Sequence, residues 1–156
     1  MNGSSSSLAV TVNILPVPTI TGPASACVNS SGNVYTTESG MTAYNWIVSS
    51  GGSITAGTGT NSITITWNIA GSVNIYVNYT NSNGCMASLP TVKTVTVNTL
   101  PVPTITGLAA VCAGTTGVTY TTEAGNTAYT WTVSAGGSIT AGAGTPMITV
   151  TWNTAG

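Results

Sequence analysis

Histidine, aspartate, arginine and phenylalanine are absent from this 156-residue sequence, and its only charged side chains are Lys93, Glu38 and Glu123. General acid–base catalysis and nucleophile–base–acid triads need residues that the chain barely has. Metal centres built from imidazole or carboxylate clusters are excluded for the same reason. The sequence therefore predicts no catalytic residue, no cofactor and no metal ligand. One lysine cannot displace the counterions of a phosphate backbone, so nucleic acid is not an expected partner. Long apolar runs are also missing, and no segment is expected to insert into a membrane.

The chain that remains is not that of a disordered protein, which would be poor in apolar residues and rich in charge. It is 42% hydrophobic with a net charge of −1, and it contains thirty-one threonines. Thr, Val and Ile are stiff at the β-carbon and suit a pleated, half-buried surface, so the expected class is all-β.

Internal repetition is the strongest signal. LPVPTITG stands at Leu15–Gly22 and again at Leu100–Gly107, and residues 15–71 align without a gap on 100–156, with 38 of 57 positions identical. Cys27 falls on Cys112, Glu38 on Glu123, Trp46 on Trp131 and Trp67 on Trp152. Ala9–Asn13 precedes the first LPVP as Thr94–Asn98 precedes the second. The organisation expected is a flexible leader over 1–7 and the last strand of a preceding repeat over 8–14. A complete repeat over 15–99 follows, then a second over 100–156 that lacks its C-terminal strands. Prolines 101 and 103 stiffen the join, which predicts a semi-rigid rod of modules.

Within the repeat, strands are expected near 17–21, 25–28, 33–37, 43–49, 52–56, 62–67, 72–80 and 91–98. Ile63, Ile65 and Trp67 share one face, and Val73, Ile75, Val77 and Tyr79 share another. Strands with one buried and one wet face belong to antiparallel sheets, and this number of them in 85 residues predicts tandem immunoglobulin-like antiparallel β-sandwiches. The tryptophans Trp46, Trp67, Trp131 and Trp152 lie in phase with apolar neighbours and are expected in the cores.

Three cysteines leave one thiol over in any single chain. The repeat frame suggests a Cys27–Cys85 disulfide, with the partner of Cys112 missing from the chain; the alternative is a pair of buried free thiols. Such a bond would contribute about 4 kcal/mol in the chain-entropy model and would point to an oxidising, extracellular setting.

The order of features is that of a known family. An AYxW strand (Ala43–Trp46), a Gly51-Gly52 turn, the strand Ile63–Asn68 with Gly71 beyond it, the NxNGC segment Asn81–Cys85 and the closing strand Thr94–Asn98 resemble PKD-like domains. In particular they are similar to the Cys-containing variety repeated in very large surface proteins of Bacteroidota. The resemblance implies a non-catalytic stalk or spacer repeat of a secreted cell-surface adhesin or filament, such as the gliding-motility adhesins exported by type IX secretion. Ile47-Val48-Ser49 stands where better-known PKD domains carry acidic residues, so no calcium role is carried over. The implied partners are neighbouring repeats, with other copies through open sheet edges and surface glycans as further expectations. A glycan-binding accessory module of a secreted enzyme is the competing reading, with Tyr44 and Tyr76 as its candidate face. Glu38 and Glu123 are expected at the surface or accepting turn N–H groups, and Lys93 is expected to discourage edge pairing.

Overall fold

The computed structural model describes residues 7–155. The leader expected over 1–7 lies, apart from Ser7, outside the described residues. The described residues contain strands and turns and no helix, so none is long and apolar enough to cross a membrane. The chain divides into two compact units at Leu100/Pro101.

Unit 1 is an immunoglobulin-like sandwich of two sheets. The strands in chain order are β1 (Ser25–Cys27), β2 (Asn33–Thr36), β3 (Thr42–Val48), β4 (Gly52–Ala56), β5 (Ser62–Trp67), β6 (Gly71–Thr80) and β7 (Thr91–Asn98). One sheet has the order β1-β7-β6-β3 and the other β2-β5-β4. All pairings are antiparallel except β1 with β7, which run parallel with Ser25 opposite Thr96 and Cys27 opposite Asn98. The alternation of the sequence sets the inner faces. Ile63, Ile65 and Trp67 of β5 meet Val73, Ile75 and Val77 of β6 and Val95 and Val97 of β7, with Tyr35 and Trp46 completing the core. Burial of this set is the main favourable term holding the sheets together.

Two expected strands are not formed. Residues 17–21 make only an isolated bridge, Thr21 to Thr36. Residues 8–14 have strand-like sequence but no ladder, and Leu8, Val10, Val12 and Ile14 are exposed. Their counterparts Val95 and Val97 are buried because β6 and β1 flank them. β-Propensity alone does not hold a strand that has no neighbour.

Unit 2 contains one four-stranded antiparallel sheet. Its strands are β8 (Thr106–Gly107), β9 (Thr115–Thr121), β10 (Gly137–Ala141) and β11 (Met147–Trp152), in the order β10-β11-β9-β8. The order β10-β11-β9 matches β4-β5-β2 of unit 1 position for position, down to the register shift at Ile139/Ala141 that matches Ile54/Ala56. Residues 110–112 and 127–133, which correspond to β1 and β3, are not strands here. In unit 1 those strands bond to β7 and β6, and residues 101–155 hold no counterpart of either.

Two glycine positions explain part of the identity between the copies. A Cβ on Gly22 would stand 2.4 Å from Cδ1 of Tyr35, and one on Gly107 would stand 2.3 Å from Cδ1 of Tyr120. Gly57 and Gly142 have φ of +83° and +79°, and a Cβ on either would run into the carbonyl of Ser62 or Met147. Only glycine fits these sites.

Candidate functional site

The chemistry-bearing side chains are the two glutamates, and each is consumed by its own unit. Glu38 follows β2 and faces the LPVPTITG segment. Its Oε1 accepts the Thr19 hydroxyl at 2.5 Å, and its Oε2 accepts the Thr19 N–H at 3.1 Å and the Thr37 hydroxyl at 2.7 Å. Its main-chain carbonyl accepts the Tyr44 hydroxyl at 2.8 Å, and that hydroxyl in turn accepts the Met41 N–H at 3.0 Å. One acidic residue thus fastens the incoming segment, the end of β2 and the start of β3 to one another.

The same clamp recurs in unit 2. Glu123 accepts the Thr104 N–H at 3.1 Å, the Thr104 hydroxyl, and the Thr122 hydroxyl at 2.7 Å. The Tyr129 hydroxyl donates to the Glu123 carbonyl at 2.9 Å and accepts the Asn126 N–H at 3.0 Å.

Burial raises the Glu38 pKa, but the hydroxyl and N–H donors from Thr19 and Thr37 outweigh it and hold the carboxyl at about 2. Glu123 is held at about 2 by the Thr104 and Thr122 donors. Donors that favour the charged form make each group a fixed anion at neutral pH. A general acid would need the opposite shift, so neither glutamate is set up for proton transfer. Burial, helped by the nearby Glu38 carboxylate, pushes the phenol of Tyr79 up to about 12. Tyr79 packs edge-on against Tyr44, with ring centroids 5.9 Å apart. No group of three or more His, Cys, Asp or Glu is placed to hold a metal among the described residues.

The tryptophans divide by unit. Trp46 is 6% exposed and its indole N–H donates to the Thr60 carbonyl at 2.9 Å. Trp67 is fully buried, edge-on to Tyr35 at 6.1 Å. In unit 2, Trp131 keeps the same bond, to Thr145, and Trp152 keeps the edge-on contact, with Tyr120 at 6.3 Å. Both are half-buried. In unit 2 a groove of about 180 Å³ opens over Ile105, Tyr120, Trp131, Ile148, Val150 and Trp152. A larger one of about 420 Å³ runs beside Glu123, Tyr129 and Trp131.

The cysteines require the clearest correction. All three are free thiols, with Cys27 and Cys112 exposed and Cys85 half-buried. The Cys27–Cys85 bond is precluded by the register. Cys27 lies opposite Asn98, just past the Gly71 end of β6. Cys85 lies beyond the other end, where Thr80 bridges Met86. The ten residues of β6 separate them by about 30 Å at ~3.3 Å per residue, whereas a disulfide needs Cα atoms within about 7 Å.

Lys93 is half-buried on the inward side of β7, on the same face as Val95 and Val97. It sits where the three-residue β1 leaves β7 uncovered, so a charge guards an open edge. Sequence reasoning missed Thr19, Thr37 and Tyr44 as the partners of Glu38. Their joint recurrence at Thr104, Thr122 and Tyr129 was the available signal.

The profile of the PKD-like domain family matches residues 13–95 and again 98–156. Among curated proteins none matches the chain.

Proposed function

The chain belongs to the PKD-like domain family, and from that premise we propose that it is a non-catalytic spacer, part of the stalk of a large secreted adhesin or filament at the cell surface. The observation that carries this reading is the parallel pairing of β1 with β7. These are the first and last strands of unit 1. Tension applied at the two ends of the module therefore pulls them past one another along their length. The bonds from Val28 N–H to the Asn98 carbonyl (2.8 Å) and from Thr96 N–H to the Ala24 carbonyl (3.0 Å) are loaded together with the ladder between them. Bonds loaded in shear must break together, whereas bonds loaded in a peel break one at a time.

The state of the glutamates supports the same reading. Each carboxylate is occupied by its own module's donors and is left with no reacting role. Trp46 and Trp67 are buried and offer no platform to a sugar ring, so the competing glycan-binding reading rests on the half-buried Tyr44 and Tyr76. Extracellular placement, adhesion and a part in gliding motility belong to the proposal as its biological setting.

Two measurements on the full chain test it. Stretching single molecules should give an abrupt rupture for unit 1 rather than gradual extension, and a glycan array should show no saturable binding. Featureless extension, or saturable binding to a defined glycan, would overturn the spacer reading.

A further inference from the structure

The cysteines occupy opposite poles of the module, and the poles coincide with where the chain enters and leaves it. At one pole the incoming segment lies beside the β6–β7 connection: Asn81 Nδ2 donates to the Ile14 carbonyl at 3.3 Å, and the Thr91 hydroxyl donates to the Pro18 carbonyl at 2.6 Å. Cys85 belongs to that connection. Its N–H donates to Asn81 Oδ1 at 3.0 Å and its carbonyl accepts the Asn81 N–H at 2.9 Å, which pins the residue at this end. At the other pole, Cys27 stands against Asn98, the last residue of β7, whose side-chain amide donates to the Ala26 carbonyl at 3.3 Å.

Unit 2 repeats the second pole independently. Cys112 ends on the same hydroxyl-capped turn, where Thr115 Oγ1 donates to its carbonyl at 2.7 Å as Ser30 Oγ does to Cys27 at 2.6 Å. Gly114 N–H bonds the Trp152 carbonyl as Asn29 N–H bonds that of Trp67. The turn therefore presents an exposed thiol at the same pole in both units.

A thiol at the entrance and another at the exit, about 30 Å apart, cannot close one module. They are the two complementary halves of a head-to-tail link. We infer that Cys85 forms a disulfide with the exit-pole cysteine of a module in another copy of the chain, Cys112 or Cys27. The oxidant is a low-molecular-weight disulfide such as oxidised glutathione. The Cys85 thiolate attacks it, releasing one glutathione and forming a mixed disulfide. The Cys112 thiolate then attacks the Cys85 sulfur and releases the second glutathione. Two protein thiols become one disulfide, and one oxidised glutathione becomes two reduced molecules. Because the link joins unlike poles it is heterologous, and repetition builds a ring or an open chain of copies. The inference stands apart from the mechanical reading, since the rupture of unit 1 is measured on single molecules with reduced thiols.

The test uses an equal mixture of unlabelled and ¹⁵N-labelled full chain, concentrated and oxidised in a glutathione buffer, followed by peptic digestion and mass spectrometry without reduction. The expected result is cross-linked peptides of mixed label that join Cys85 to Cys112 or Cys27, several-fold more abundant than same-pole pairs. The Cys85→Ser variant should lose the ladder of linked copies on a non-reducing gel. Should Cys85→Ser fail to fold, peptide mapping of the unsubstituted chain decides alone. A Cys27–Cys85 bond within one copy, same-pole pairs in equal or greater amount, or no disulfide at all would overturn the inference.

Discussion

Glu38 shows how a protein almost without charge uses the few charges it has. A carboxylate accepting a backbone N–H and two hydroxyls forms charge-assisted bonds, stronger than neutral ones, and here they join the incoming segment to the end of β2. The folded-state pKa of about 2 lies below the ordinary 4.5, so the unfolded chain binds the proton more readily. The stabilisation is complete above pH 4.5 and is lost as pH falls through about 2; Glu123 acts with the same sign. Thermal melts followed by circular dichroism should therefore show a falling midpoint between pH 4.5 and pH 2. Glu38→Gln should lower the midpoint at pH 7 by the equivalent of about 1–2 kcal/mol, the worth of bonds to a partly exposed charge. The same substitution should flatten the acid dependence of unit 1. An unchanged acid slope in the variant would remove Glu38 from this role.

At the scale of the element, a strand here is defined by its neighbours as much as by its residues. Ala9–Asn13 and Thr94–Asn98 share four of five residues, yet only the second forms a strand. Thr42–Val48 is β3 while its counterpart 127–133 is not, although Ala, Tyr, Trp and Val recur in place. Both copies of the bend that opens this stretch use an alanine in the left-handed region, Ala43 at φ 50° and Ala128 at φ 58°. The local conformation therefore survives even where the ladder does not. In the proposed spacer the short parallel strand β1 takes the tension, and a proline beside it should expose that role. Val28→Pro deletes the N–H that bonds the Asn98 carbonyl and should cost about 1–3 kcal/mol at equilibrium. In single-molecule stretching it should lower the rupture force of unit 1, whereas Ile47→Thr, an exposed site on β3, should leave that force unchanged.

At the scale of the molecule, the two units share a sequence but differ in how completely they bury it. Unit 1 closes a core of ten buried residues from both sheets. In unit 2 the buried apolar residues are Val118, Ile148 and Val150, all from one sheet. A small core contributes little against chain entropy, so unit 2 should unfold at lower urea concentration than unit 1, giving two transitions in tryptophan fluorescence. Acrylamide should quench the Trp46→Phe/Trp67→Phe variant, which reports Trp131 and Trp152, more strongly than the reciprocal Trp131→Phe/Trp152→Phe variant. Equal quenching would mean that unit 2 is as well covered as unit 1.

Composition and periodicity by themselves determined the class and the inner faces. Thr, Val and Ile alternating with period two admit few solutions but antiparallel sheets, and Ile63, Ile65, Trp67, Val73, Ile75 and Val77 are buried as that alternation requires. The scarcity of charged side chains was equally plain from the residues present. Tertiary structure decided everything that depends on which segments meet. It placed Thr19 and Tyr44 around Glu38, a relation across non-adjacent residues that no local pattern encodes. It also set Cys27 and Cys85 at opposite poles, because a parallel β1–β7 pairing and an antiparallel β6–β7 pairing carry them to the two ends of one ten-residue strand. Spacing along a chain states only how far apart two thiols can be; the sheet register states how far apart they are.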